Sequence, residues 1–100
     1  MLIAVPSAPA GLKAVVSSRR SVLISWLPPE TPNGRINKFT LYIRFMEGTK
    51  IEKRILEGED YYYEAAGLKE GQAYEFWLTA STRMGEGDST PRVQISPANK

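Results

Sequence analysis

Glu57, Glu59 and Asp60 crowd one short stretch of the chain and could offer oxygen ligands to calcium. A calcium loop of the EF-hand kind needs ligands at several fixed positions of a longer loop, so a solvated acidic turn is the simpler reading. Gly85-Glu86-Gly87 has the composition of a phosphate-cradling loop, but it follows an alternating apolar stretch and runs into Asp88-Ser89-Thr90-Pro91. Phosphate cradles open a helix at that point, and a flexible hairpin fits better. The serines have no imidazole to activate them, and neither a Ser-Lys pair, paired carboxylates nor a nucleophile elbow stands out. With no His and no Cys in 100 residues, zinc sites and Cys–His pairs are excluded, as is a disulfide. The expectation is a protein that is not an enzyme, with no catalytic residues, cofactor or metal.

Thirteen Lys and Arg against eleven Asp and Glu leave a formal charge of +2, and such near-balance gives no electrostatic case for nucleic acid. Arg19, Arg20, Arg35, Lys38, Lys50, Lys53 and Arg54 are numerous enough to pair with the sulfates of heparan sulfate if they gather. They lie in different segments with acidic residues between them, so a solvated surface is the plainer account. Trp77, Tyr42 and Arg44 are of the types enriched at binding hot spots, and whether they meet depends on the elements that carry them.

Those elements are strands. Apolar residues recur with a period of two and never with helical spacing over a dozen residues. Leu12, Ala14 and Val16 mark a first strand, and Val22, Ile24 and Trp26 a second, separated by a turn at Ser17 to Arg20. Pro28, Pro29, Pro32 and Asn33-Gly34 break the pattern. Ile36, Phe39, Leu41, Ile43 and Phe45 then form the inner face of a third strand, with Lys38, Thr40, Tyr42 and Arg44 outside. The charged stretch from Lys50 to Leu56 suits an edge strand. Tyr61, Tyr63 and Ala65 face inward on the next. Ala73 to Thr82 carries Tyr74, Phe76, Leu78 and Ala80 inward and Glu75, Trp77, Thr79 and Ser81 outward, while Arg83 to Asp88 reads as a mobile loop. Val93 and Ile95 close a final strand. Seven short strands at this spacing imply an all-β, two-sheet, seven-stranded sandwich.

Alternation thus puts Trp77 outside beside Tyr42 and Arg44 of the neighbouring strand, an exposed aromatic patch that could contact a protein. The plainer reading is a local cluster in which Arg44 and Glu75 stems cover the indole. Met1 to Val5 is a short apolar run without a basic flank, too short for a signal peptide or membrane span. It reads as residues 1–5 of linker with an added start Met, before a domain at 6–96 and a linker at 97–100. No Asn-X-Ser or Asn-X-Thr sequon occurs.

Pro6 to Pro9 at entry, Ser25-Trp26-Leu27-Pro28-Pro29, Asn33-Gly34 before Ile36 and Phe39, Gly67-Leu68, Gly71 and Tyr74-Glu75-Phe76 together resemble a fibronectin type III domain. The resemblance runs from Pro6 to Ile95 and implies an immunoglobulin-like β-sandwich with sheets A-B-E and C′-C-F-G in the family's lettering. It implies that Trp26 fills the space between the sheets and that Tyr74 makes a corner hydrogen bond. Ile24, Phe39, Leu41, Leu68, Phe76 and Leu78 are the other expected core residues. A buried indole and phenol each also call for a partner to one polar atom.

The stretches Ser21 to Pro29 and Asn33 to Thr40 look most like modules of Down syndrome cell adhesion molecule-type neuronal receptors of the immunoglobulin superfamily. That resemblance implies a spacer and interaction module in the extracellular part of a single-pass plasma-membrane adhesion receptor. Its partners would be neighbouring immunoglobulin-like or fibronectin type III domains and a homophilic or heterophilic protein partner. The isolated domain is expected to be a monomer that binds neither nucleic acid nor membrane. Two other readings stay open: a module of a cytoplasmic sarcomeric-type array, and a heparan-sulfate-binding extracellular module. Arg83 to Asp88 lacks the Arg-Gly-Asp tripeptide of integrin-binding relatives, and no Trp-Ser-X-Trp-Ser motif of cytokine receptors is present.

Overall fold

The computed structural model describes residues 4–98. The added start Met, most of the N-terminal linker and the last two linker residues of the sequence reading lie outside them. Eight strands follow in order: β1 Ala10–Ser18, β2 Ser21–Leu27, β3 Lys38–Phe45, β4 Ile51–Glu57, β5 Tyr62–Ala65, β6 Tyr74–Thr82, β7 Gly85–Glu86 and β8 Val93–Ile95. They build a sheet of order β1-β2-β5 and a second of order β4-β3-β6, with β7 and β8 both pairing with β6. Every pair is antiparallel.

The seven strand positions of the expected sandwich are present, with the last broken into β7 and β8 along the same edge of β6. Ser81 faces Glu86, and Phe76 faces Val93. Between these ladders Gly87 N–H donates to Ala80 O at 2.8 Å, and Thr90 N–H donates to Leu78 O at 3.0 Å. Thr90 Oγ1 in turn accepts from Leu78 N–H at 3.1 Å. The edge stays hydrogen-bonded while its register slips, as bulges allow. The segment read as a mobile loop, Arg83 to Asp88, therefore contains a paired strand.

Alternation fills the space between the sheets. Val22, Ile24 and Trp26 of β2 meet Phe39, Leu41 and Ile43 of β3 and Phe76, Leu78 and Ala80 of β6, all buried in one cluster with Ala65. Leu12, Ala14, Leu68 and Tyr74 pack against it, half-buried. The Trp26 and Phe39 rings meet edge to face at 5.5 Å, and Tyr61 meets Phe39 similarly at 5.6 Å although it is more exposed than its inward assignment implies.

The two expected polar anchors part company. Lys69 N–H donates to Tyr74 Oη at 2.8 Å, closing the turn before β6. Trp26 Nε1 is buried without an acceptor among the described groups, which corrects the expectation that its N–H finds one. The indole lies among apolar side chains of the core.

The chain enters and leaves at opposite poles. At the entry pole Asn33, at φ 54°, donates from Nδ2 to Val5 O at 2.9 Å, and Asp88 N–H donates to Pro6 O at 3.2 Å. Asn-Gly tolerates the positive φ that this turn requires. At the exit pole Gly71 N–H donates to Pro97 O at 2.8 Å. Pro6 and Pro97 are both fully buried, so Pro97, assigned to linker by sequence, packs with the sandwich.

Candidate interaction face

The outward face of the β4-β3-β6 sheet carries the residues singled out by type. Register brings them into one row: Tyr42 of β3 lies opposite Lys53 of β4 on one side and Trp77 of β6 on the other. The Tyr42 and Trp77 rings stack with centroids 5.4 Å apart and planes 1° from parallel. Arg92 Cζ lies 4.2 Å from the Trp77 centroid, and Lys53 Nζ lies 5.4 Å from that of Tyr42. Two rings are thus stacked with a cation at each end, each contact worth roughly 0.5–1.5 kcal/mol.

The next row anchors the guanidinium groups. Glu75 Oε1 accepts from Arg44 Nε at 3.1 Å and from Arg92 Nη1 at 3.0 Å. On the other side of the ladder, Glu86 Oε2 accepts from Tyr42 Oη and, at 2.7 Å, from Thr79 Oγ1. These bonds hold the Glu86 carboxyl below the usual range, burial partly opposing them and the nearby Lys53 and Lys38 charges assisting. The Tyr42 phenol is pushed up to about 12 by burial first, then by the hydrogen bond and charge of Glu86.

That shift sets a pH dependence. An unfolded tyrosine titrates near pH 10, so the folded chain holds the Tyr42 proton more tightly. The resulting stability is complete below about pH 10 and is lost as pH rises towards 12. Denaturant midpoints are expected to fall across that interval and to fall less steeply in Tyr42→Phe, which keeps the stack. An equally steep fall in the variant would contradict the assignment.

Trp77, Tyr42 and Arg44 do come together, but not as an exposed patch. Trp77 is only 7% exposed, and Tyr42 and Arg44 are half-buried. The open aromatic surface is corrected in favour of the plainer reading of a local packing cluster, because the central position of β6 lets neighbours cover the indole from both sides. Arg92 is the main cover on the β8 side, and sequence reasoning missed it, as it missed Glu86 and Thr79. What this sheet shows to solvent is its rim, with Ile51 at 47% and Ile55 at 61% exposure on β4. Of the expected core residues, Trp26, Ile24, Phe39, Leu41, Phe76 and Leu78 are buried, and Leu68 and Tyr74 border them.

The other sequence candidates disperse. Asp60 Oδ2 accepts from Glu57 N–H at 3.3 Å within a turn, and no three acidic residues converge on a metal position among the described residues. Arg20 lies at the β1–β2 turn, whose carbonyl accepts from Leu68 N–H at 2.9 Å, while Lys38 lies towards the entry pole opposite Ser81. The seven cations therefore form no single patch.

Comparison with known proteins agrees with this architecture. Residues 7–96 match the family description of the fibronectin type III domain. The chain is 53% identical over 89 residues to the cell adhesion molecule Dscam2 of Drosophila melanogaster, a match covering 86% of this chain and 4% of that protein. It is 43% identical over 98 residues to the human cell adhesion molecule DSCAML1, covering 96% of this chain and 5% of the relative. Among solved structures, the FN5 domain of Drosophila Lar superposes with a TM-score of 0.78 at 22% identity, covering 96% of this chain and 100% of that one. The chain thus spans about one-twentieth of the curated relatives' length. With two antiparallel sheets around Trp26, a Tyr74 corner bond and a family match over nearly its whole length, this chain belongs to the fibronectin type III family.

Proposed function

We propose that this domain, at residues 6–96 with Pro97 of the exit segment packed against it, is a non-catalytic spacer and interaction module in the extracellular part of a neural cell-adhesion receptor. The observation that carries the reading is the 53% identity to the adhesion molecule Dscam2 over 89 residues. The shape of the domain supports it. Its principal extents are 51 × 25 × 18 Å, and with entry and exit at opposite poles each copy adds length to a linear array of immunoglobulin-like or fibronectin type III neighbours. The Trp77 ladder stiffens that unit. Homophilic or heterophilic contact falls to exposed rims bordering Tyr42 and Arg44, with Trp77 stacked beside Tyr42. The domain alone is a monomer that binds neither membrane nor nucleic acid.

An antibody raised against the folded domain should label intact neurons that express the natural protein. Labelling only after permeabilisation would overturn the adhesion reading in favour of a cytoplasmic array.

A further inference from the structure

We propose that the outward face of the β1-β2-β5 sheet is a homophilic contact, which packs against the same face of a second copy of this chain. Register lays two rows across it. Lys13, Ser25 and Tyr62 stand side by side in one, and Val15, Leu23 and Glu64 in the other. Leu27 extends the apolar part beyond Ser25 on the same side of β2, and Gly11 of β1 leaves it room, since a Cβ there would stand 3.3 Å from Leu27 Cδ1. Val15 is 48%, Leu27 61% and Tyr62 71% exposed, with half-buried Leu23 between them. Grouped rather than scattered apolar exposure of this kind marks a contact surface. The other sheet hides Trp77 under neighbouring side chains, whereas this one leaves its apolar residues open. Entry and exit lie at opposite poles, so chain neighbours joined there leave the flank uncovered.

The charges on that face select the occupant. Lys13 and Glu64 are exposed, and neither forms a salt bridge among the described residues. They stand at diagonally opposite corners, about 12 Å apart at ordinary strand spacing and rise. A twofold axis lying in the interface at right angles to that diagonal carries Lys13 of one copy over Glu64 of the other and repeats the pair on the far side. The same axis brings Tyr62 beside its counterpart and crosses the strands of the two copies steeply, the orthogonal manner of sheet packing. Sheets meet about 10 Å apart, a gap that a lysine and a glutamate side chain span together. One isologous contact thus buries the apolar corners and pairs all four charges. The face is small. Three strands with three outward positions each cover roughly 300 Å², well below the roughly 800 Å² per partner of a stable complex. Single domains therefore stay monomeric in dilute solution and pair where copies are crowded. This surface is separate from the rims bordering Tyr42 and Arg44, and the inference does not rest on the adhesion reading.

Amide chemical shifts of the purified domain, followed from micromolar to low millimolar concentration, test the pairing. Concentration-dependent shifts are expected along Lys13 to Val15, Leu23 to Leu27 and Tyr62 to Glu64, with β3, β4 and β6 unmoved. Lys13→Glu and Glu64→Lys should each weaken self-association roughly tenfold, because each sets like charges against one another twice. The chain carrying both substitutions should regain the parent's affinity to within about threefold, and so should an equal mixture of the two single variants, in which each copy meets its complement. Leu27→Ser with Tyr62→Ser should abolish pairing while the unfolding midpoint stays near the parent's. No self-association at low millimolar concentration, shifts centred on the other sheet, or a double charge variant as weak as the single ones would each overturn the proposal.

Discussion

Trp26→Ala is expected to destabilise the domain by about 3–5 kcal/mol, a large share of the roughly 5–15 kcal/mol that holds a typical domain together. Trp26 is 3% exposed and meets Phe39 edge to face at 5.5 Å. Its loss removes the largest side chain spanning the two sheets, and β2 and β3, fixed by ladders on both sides, cannot close the gap. Trp26→Phe should behave differently. The indole N–H is buried without a protein acceptor, so replacing it relieves the desolvation cost of an unpaired donor, about 1–3 kcal/mol. That relief offsets part of the lost area, and the net change should stay under about 1.5 kcal/mol. Urea unfolding with an unchanged slope reads both variants. A midpoint for Trp26→Ala close to that of the parent would show that the sheets are held together elsewhere.

The contrast between Trp26 and Trp77 marks how far the sequence could be read. Alternation assigns a side chain to a face because successive residues in a strand point to opposite sides. On that ground Phe39, Leu41, Phe76 and Leu78 were legible as inward, and Tyr42 and Trp77 as outward neighbours. Alternation carries no information on what lies over an outward residue. Trp77 is covered by Arg92, which reaches the indole because the last strand slips register between Gly87 and Val93. Bulged edges of that kind depend on tertiary pairing, and no local pattern announces them.

Glu86 was obscured for a similar reason. Two flanking glycines suggested a loop, yet Gly85 and Glu86 pair with Thr82 and Ser81, and that pairing delivers the carboxylate to Tyr42 and Thr79. The sequence signal that could have found it is parity: once Ser81 is outward, the residue opposite it is outward too.

Trp77→Ala is expected to cost about 3 kcal/mol, despite lying on an outer face. An aromatic side chain of this kind buries about 200 Å², which at about 25 cal/mol per Å² sets an upper limit near 5 kcal/mol. Two effects bring the figure down: the alanine keeps some of that contact, and water can enter the vacated space, so no dry cavity remains. The ladder adds to the loss, because Tyr42 surrenders its stacked partner and Arg92 surrenders the ring beneath it. A double-mutant cycle of Trp77→Ala with Arg92→Ala should return a coupling of roughly 0.5–1 kcal/mol. This result separates a packing role from a contact role. A residue kept for a partner would leave the isolated domain's unfolding midpoint nearly unmoved when truncated, while loss of about 3 kcal/mol assigns the indole to the stiffness of the sheet itself. Exposed Ile51 and Ile55 provide the control: their truncation to Ala should change stability by less than about 0.5 kcal/mol.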